Sequence, residues 1–181
     1  PMGFWSPHSL VQDARRHGVV TLQPCVNASR AVATLEPHDG SQGGPDPSKP
    51  GLAVRLALSS VRGIGLPLAQ AIEVAQPFVS AEDLARRVPS LTLAQLESLA
   101  TAGAFGCFGM SRREALWAAG AVSESRPDRL PGIVVGAEAP CLPGMDEHAT
   151  AIADLWATGV SAEGHPARFV REPHVARGVL T

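Results

Sequence analysis

Two glycines separated by one residue, with an arginine beside them, form the part of the sequence best suited to bind an anion. Gly63 and Gly65 lie in the string VRGIGLPLAQAI, residues 61–72, and Arg62 precedes the first glycine. Glycine adopts the positive φ angles of a tight turn and leaves no side chain between backbone and ligand. Backbone N–H groups at such a turn, followed by the start of a helix, form a concavity suited to a phosphate. The spacing therefore predicts a phosphate-binding turn.

The same string fits the helix-hairpin-helix pattern of apolar residue, Gly-apolar-Gly turn, and later Ala and Ile. In this pattern Ile64 buries the turn, Ala69 lets two helices approach closely, and Ile72 lies on the same buried face. Such a turn contacts phosphates and not base edges, so it would position DNA without reading its sequence. The predicted DNA-backbone contacts are Arg62, Gly63, Ile64, Gly65 and Leu66. Pro67 has no N–H, which removes one donor and predicts a weak hold.

Further arginines could flank a DNA groove or approach a phosphate, with an ordinary solvated helix face as the alternative for each. They are Arg15, Arg16, Arg86, Arg87, Arg112 and Arg113. The last two lie at a predicted helix start, where positive charge opposes the helix dipole and favours an external anion as partner. For the Gly63–Gly65 turn the alternative is a corner between two helices that serves only their packing and binds no DNA.

Capping signals predict the helices that surround these residues. Four helices are predicted to begin at Ser6, Ser80, Thr92 and Ser111, and a last short one to span about Glu147 to Ala157. The string LATAGAF, residues 99–105, closes a helix without a Gly-x-Gly turn, which predicts a degenerate second hairpin with a structural role.

The predicted fold class is mainly α: a tandem helix-hairpin-helix bundle with a small β-ribbon and an irregular C-terminal extension. Apolar runs at 19–22 and 53–58 predict two strands that pair as the ribbon. Between them, the stretch 36–51 is rich in Gly, Pro, Ser and Asp and predicts an exposed loop.

Composition argues against several classes of protein. The 181 residues carry a net charge of −2, three cysteines far apart and six scattered histidines. These residues match neither a disulfide framework nor the spacing of metal ligands, so no metal or cofactor site is predicted in this chain. No apolar run approaches the ~20 residues of a membrane helix, and no signal peptide opens the chain, which predicts a cytoplasmic protein without membrane partners.

Five strings then carry a resemblance: PMGFWSPHSLVQDARRHGV, VRLALSSVRGIG, LESLATAGAF, SRREALWAAG and ADLWATGVS. They occur in the order seen in bacterial C-family DNA polymerases, the type of the DNA polymerase III alpha subunit. The last two strings resemble most closely the error-prone, damage-inducible paralogue. One lysine beside fourteen arginines agrees with a high-GC bacterial genome.

The resemblance implies a division of the chain into three regions. Residues 1–50 would be the end of a fingers-like region, residues 51–122 the helix-hairpin-helix region that holds DNA, and residues 123–181 a connector towards an absent OB-type domain. The polymerase carboxylates and their Mg²⁺ ions would lie in a palm domain before residue 1. The chain would then be a fragment of a nucleotidyltransferase for translesion synthesis, DNA repair and replication, inactive alone.

The resemblance also implies partners: DNA, and a polymerase-like recruiting subunit. The stretch 133–145, IVVGAEAPCLPGM, lacks the glutamine-led, aromatic-ended motif of the replicative members, which argues against direct sliding-clamp binding. The segment between Ile72 and Phe78 is short for the family's second helix.

Two alternatives for the function stay open: a protein-interaction module in which 130–145 and Trp156 dock a partner subunit, and a stand-alone helix-hairpin-helix accessory protein.

Overall fold

The computed structural model describes residues 5–38, 51–125, 130, 136, 139–162, 167–175 and 177–178. The helices in these ranges are α1 (Pro7–Arg16), α2 (Leu66–Ala75), α3 (Ala81–Arg87), α4 (Leu93–Thr101), α5 (Arg112–Ser123), α6 (Glu147–Thr158) and α7 (Ala167–Val175). The strands are β1 (Val20–Leu22), β2 (Thr34–His38) and β3 (Gly51–Arg55), and 3-10 turns occupy Leu58–Ser60 and Gly106–Phe108. The prediction of a mainly α fold with a small sheet is confirmed.

Each predicted capping signal begins a helix. The side-chain oxygens of Ser6, Ser80, Thr92 and Ser111 accept the N–H three residues further on. Thr92 and Ser111 complete capping boxes, because Gln95 and Glu114 accept the N–H of the cap residue in return. The last predicted helix is α6, whereas α7 lies in the extension for which the sequence predicted no regular structure.

The sheet has β3 in its centre, parallel to β1 on one side and antiparallel to β2 on the other. The two predicted strands therefore pair as expected, but β2 was missed. The loop predicted over 36–51 is wrong at both ends, because residues 36–38 belong to β2 and Gly51 begins β3. Pro37 is compatible with β2 because a proline without N–H is tolerated in an edge strand. Residues 39–50 of that loop lie outside the described residues.

The hydrophobic core is shared by α2–α5 and the segments that join them. Its largest fully buried side chains include Leu58, Ile64, Ile72, Leu84, Leu96, Leu99 and Phe105. The degenerate second hairpin thus has the structural role expected of it, since residues 96–105 bury their apolar side chains against α5 and the first hairpin. None of the described helices combines the length and apolar character needed to cross a bilayer.

A buried ion pair attaches α6 to α5. Nη2 of Arg112, the first residue of α5, lies 2.5 Å from Oδ1 of Asp154, and the two side chains are 10% and 5% exposed. Arg112 Nη1 also donates to the Thr150 carbonyl at 3.3 Å. Arg112 is therefore not available as the phosphate contact predicted for it: its anion is Asp154, within the chain.

Arg112→Leu is expected to lower the free energy of unfolding by about 3–5 kcal/mol, because it leaves the Asp154 carboxylate buried without a counter-charge. Denaturant titration followed by circular dichroism measures the change. The Arg112→Leu/Asp154→Leu double variant should recover most of the loss, and Arg113→Leu, at the exposed next position, should cost less than about 1 kcal/mol. Equal losses in the single and double variants would contradict the role given to this pair.

A second ion pair joins β2 to β3. Arg55 donates from Nε to Glu36 Oε2 at 3.1 Å and from Nη2 to Glu36 Oε1 at 2.6 Å. The hydrogen bonds from Arg55 lower the pKa of the Glu36 carboxyl below its ordinary value. The two-point contact fixes the edge strand on its neighbour.

We expect the stability supplied by Glu36 to depend on pH. A carboxyl whose pKa is lowered by folding stabilises the fold above its unfolded pKa, and this contribution is lost as pH falls through the folded pKa. The wild-type chain should therefore be more stable than Glu36→Gln at pH 7 and lose that advantage on acidification below about pH 4.5, the ordinary value. Urea titrations of both chains across this pH range test the expectation; an advantage independent of pH would refute it.

Candidate nucleic-acid interface

The predicted hairpin is a tight turn between the 3-10 turn Leu58–Ser60 and α2. The Ile64 N–H donates to the Val61 carbonyl at 2.9 Å, and Gly63, the third residue of this turn, has a φ of +75°. A type II turn requires a positive φ at that position, which accounts for the glycine. Gly65 has a φ of −70°. The expectation that both glycines have a positive φ is thus confirmed for Gly63 and wrong for Gly65.

Three predicted core residues hold the hairpin in place. The side chains of Ile64, Ala69 and Ile72 are at most 2% exposed. The element that packs against α2 across the turn is the 3-10 turn Leu58–Ser60, so the first half of the hairpin is a single turn and not a full helix. The second helix ends at Ala75, in agreement with the short segment expected before Phe78.

The start of α2 presents backbone donors that the described part of the chain leaves without an acceptor. Gly65 is the N-cap residue and has no side chain to cap the helix. The first helical bond of α2 runs from the Ala69 N–H to the Gly65 carbonyl at 2.9 Å, and no bond is formed by the N–H groups of Gly65, Leu66 and Leu68 within the described ranges. Pro67 has no N–H. These three donors lie at the positive end of the helix dipole, where a phosphate oxygen is a suitable acceptor.

Gly65 leaves open space beside these donors. A Cβ added at Gly65 would meet Pro67 Cδ at 3.8 Å, an ordinary contact. Neither its φ nor its packing against the described residues requires glycine, whereas the close approach of a ligand to the backbone would. The absence of a side chain at Gly65 thus leaves room for a ligand to reach the backbone.

The N–H groups of Arg62 and Ile64 are bonded within the chain. The Arg62 N–H donates to the Ala157 carbonyl of α6 at 2.7 Å, and the Ile64 N–H is bonded within the turn. The Arg62 side chain is exposed, and its guanidinium lies 4.8 Å from the centre of the Trp156 ring. The Arg62 side chain can therefore contact a phosphate, but its N–H cannot. Ile64 stabilises the turn through its buried side chain and its bonded N–H.

Gln95 connects the turn to the start of α4. Its Oε1 accepts the Thr92 N–H at 2.9 Å, and its Nε2 donates to the Gly63 carbonyl at 3.0 Å. One side-chain amide therefore completes a capping box and fixes the hairpin turn. The sequence signals the first contact through the spacing of Thr92 and Gln95, but no local pattern indicates the second.

Two of the other predicted phosphate contacts lie on α1. Arg15 lines a cavity of about 790 Å³ together with β1, Arg55 and the turn at Gly103. Arg16, in the last turn of α1, is exposed. The structure gives neither residue a contact with the hairpin turn among the interactions it records, so their predicted roles stay predictions.

Of the remaining arginines, Arg87 and Arg113 donate hydrogen bonds to backbone carbonyls outside their own helices. Arg87 donates to the Pro77 carbonyl at 2.5 Å, and its guanidinium lies 5.1 Å from the Phe78 ring centre. Arg86 is half-buried on the same helix, and Arg113 is exposed and donates to the Pro143 carbonyl at 3.2 Å. No group of three His, Cys, Asp or Glu side chains that could hold a metal ion occurs among the residues that the structure describes.

A family model of the helix-hairpin-helix motif matches residues 18–129, from just before β1 to beyond α5. The chain belongs to the helix-hairpin-helix family. The match includes both the Gly63–Gly65 turn and the degenerate second turn between α4 and α5. The three-region division at residues 50 and 122 stays a prediction.

The chain is also similar to bacterial proteins that are named error-prone DNA polymerase. Those of Mycobacterium bovis, Nocardia farcinica and Corynebacterium glutamicum are 53%, 48% and 43% identical to it, each over 99% of the chain. The resemblance derived from the five sequence strings is thereby confirmed. The chain spans 16% of the length of each of these relatives.

The two glycines of this helix-hairpin-helix turn are expected to respond differently to substitution. Gly63→Ala should lower the free energy of unfolding by about 1–2 kcal/mol, because a Cβ is disfavoured at a positive φ. Gly65→Ser should change it by less than about 0.5 kcal/mol, because serine is also a favourable N-cap residue. Thermal and denaturant unfolding of both variants measure the difference. Equal destabilisation would contradict the assignment of the positive-φ requirement to Gly63 alone.

Proposed function

We propose that the chain binds the backbone of duplex or primer-template DNA without reading its sequence, as the DNA-holding part of an error-prone DNA polymerase. The observation that carries the proposal is the start of α2, where Gly65 leaves open space beside the N–H groups of Gly65, Leu66 and Leu68. Backbone amides bind phosphate oxygens and carry no information about the base. The similarity to error-prone DNA polymerases over 99% of the chain supports DNA as the ligand.

The charge distribution supports binding by a local site. The net charge of −2 provides no general attraction for DNA, so affinity has to come from groups placed at the contact. Arg62 adds a full positive charge beside the turn, and the helix dipole adds a partial one. Few phosphates are neutralised in this arrangement, so we expect modest affinity and a shallow dependence on salt.

The same proposal assigns the chemistry of the whole protein to other regions. Nucleotide addition during translesion synthesis and repair requires carboxylates that hold Mg²⁺, and we place these in a palm domain outside residues 1–181. The described carboxylates do not form such a cluster, so no catalytic step is assigned to them. Recruitment in the cytoplasm by a polymerase-like subunit, without direct clamp contact, is the part of the proposal that rests on the resemblance alone.

Gly65→Ser is expected to weaken DNA binding by about tenfold or more without loss of stability. The serine hydroxyl would accept the Leu68 N–H and stand where the phosphate is proposed to lie. Fluorescence anisotropy with labelled duplexes of two unrelated sequences, over a salt series, measures affinity, sequence dependence and the number of phosphates. Gly106→Ser is the matched control, because a Cβ at Gly106 meets nothing within 4 Å and this residue is far from α2 in sequence.

The proposal predicts equal affinity for the two sequences and a modest negative salt slope for wild type and the Gly106 variant. Absence of wild-type binding at low salt would refute DNA binding by this chain. Wild-type binding that Gly65→Ser leaves unchanged would refute the assignment of the site to the start of α2.

A further inference from the structure

Helix α6 contacts Arg62 of the hairpin turn through both its backbone and its side chain. The Ala157 carbonyl accepts the Arg62 N–H at 2.7 Å, and the Trp156 ring lies under the Arg62 guanidinium at 4.8 Å. The contact joins residues more than 90 positions apart in the sequence. It is therefore a tertiary feature that the hairpin motif alone does not contain.

The position of α6 is fixed independently of this contact. Asp154, on a different face of the helix, is buried against Arg112 of α5. The Thr158 hydroxyl oxygen lies 3.0 Å from the Asp154 carbonyl oxygen and 2.8 Å from the Val160 carbonyl oxygen, so its one proton is donated to one or shared between both, which closes the end of the helix beside Ala157. Trp156 is thus presented to the hairpin by a helix that the core already holds in place.

The position of the Arg62 guanidinium over the Trp156 ring suits a phosphate contact. A guanidinium is planar, and when its face lies on an aromatic ring its N–H groups still point outward from the edge, where they can donate to a phosphate. Holding the side chain in this orientation before DNA arrives reduces the conformational entropy lost on binding. Trp156 is 49% exposed, so the pair of Arg62 and Trp156 lies at the surface and not in the interior.

We infer that Trp156 is a positioning residue for DNA binding, which holds the guanidinium of Arg62, three residues before the first amide donor of α2, in one orientation. The inference rests on the proposed function and adds α6 to the DNA-binding surface. The surface then consists of two parts: uncharged amide donors from α2, and one oriented positive charge whose support comes from α6. Residues 147–158 are accordingly part of the interface rather than of a connector.

A double-mutant cycle tests the inference on the full 181-residue chain. Arg62→Ala and Trp156→Leu are each expected to lower duplex affinity by about threefold to tenfold at low salt. Both should also reduce the magnitude of the salt slope, Arg62→Ala by about one phosphate contact. Arg62→Ala/Trp156→Leu should bind no more weakly than Arg62→Ala, because Trp156 acts through Arg62. Trp156→Phe, which keeps an aromatic face, should recover most of the affinity.

A spectroscopic measurement serves as a second test that does not depend on the leucine variant. Trp5 and Trp117 are 70% and 60% exposed, and replacing both with Phe leaves Trp156 as the single tryptophan of the chain. Saturating duplex should change the emission of Trp156, because the Arg62 guanidinium over its ring binds a phosphate. The change should disappear in the same chain carrying Arg62→Ala.

The outcomes separate the two proposals. Absence of wild-type binding refutes the proposed function. Wild-type binding that is lost in Gly65→Ser supports the proposed function, and the inference is then overturned if Trp156→Leu binds like wild type or adds fully to Arg62→Ala. Emission of Trp156 that saturating DNA leaves unchanged would also overturn it.

Discussion

Arg112 and Asp154 meet in the interior between α5 and α6, and the placement of the C-terminal part of the described chain depends on this contact. Each charged group loses its hydration on burial. The opposite charge 2.5 Å away offsets that cost. A backbone carbonyl from Thr150 satisfies a further donor of the guanidinium. The pair therefore ties α6, which packs against α4, to the start of α5, and α6 in turn brings Trp156 and the Ala157 carbonyl to the hairpin.

Local signals in the sequence predicted most of the helical structure. The residues Ser6, Ser80, Thr92 and Ser111 begin helices because their side chains accept hydrogen bonds from residues three positions away, an interaction that short segments specify alone. The hairpin turn was likewise predictable, since the positive φ of Gly63 is a property of four consecutive residues. Burial of Ile64 and Ile72 followed from their spacing.

Features that depend on distant parts of the chain could not be predicted. The charge of Arg112 at a helix start indicated an external anion, and the actual partner is 42 residues away, a separation no local pattern reveals. Strand β2 contains Glu36 and Pro37, residue types typical of loops, and it is held by pairing with β3 and by Arg55. The bond from the Arg62 N–H to the Ala157 carbonyl of α6 is likewise a contact between distant parts of the chain.

Under the proposed function, the amide donors at the start of α2 also bear on movement along DNA. Every phosphate of a duplex presents the same oxygens to these donors, whatever the base, so successive registers of the duplex on this surface are nearly equal in free energy. A surface of this kind opposes dissociation more than it opposes sliding by one nucleotide. In the proposed function, a surface of backbone amides beside Arg62 would therefore let a duplex shift by one nucleotide at a low cost in free energy.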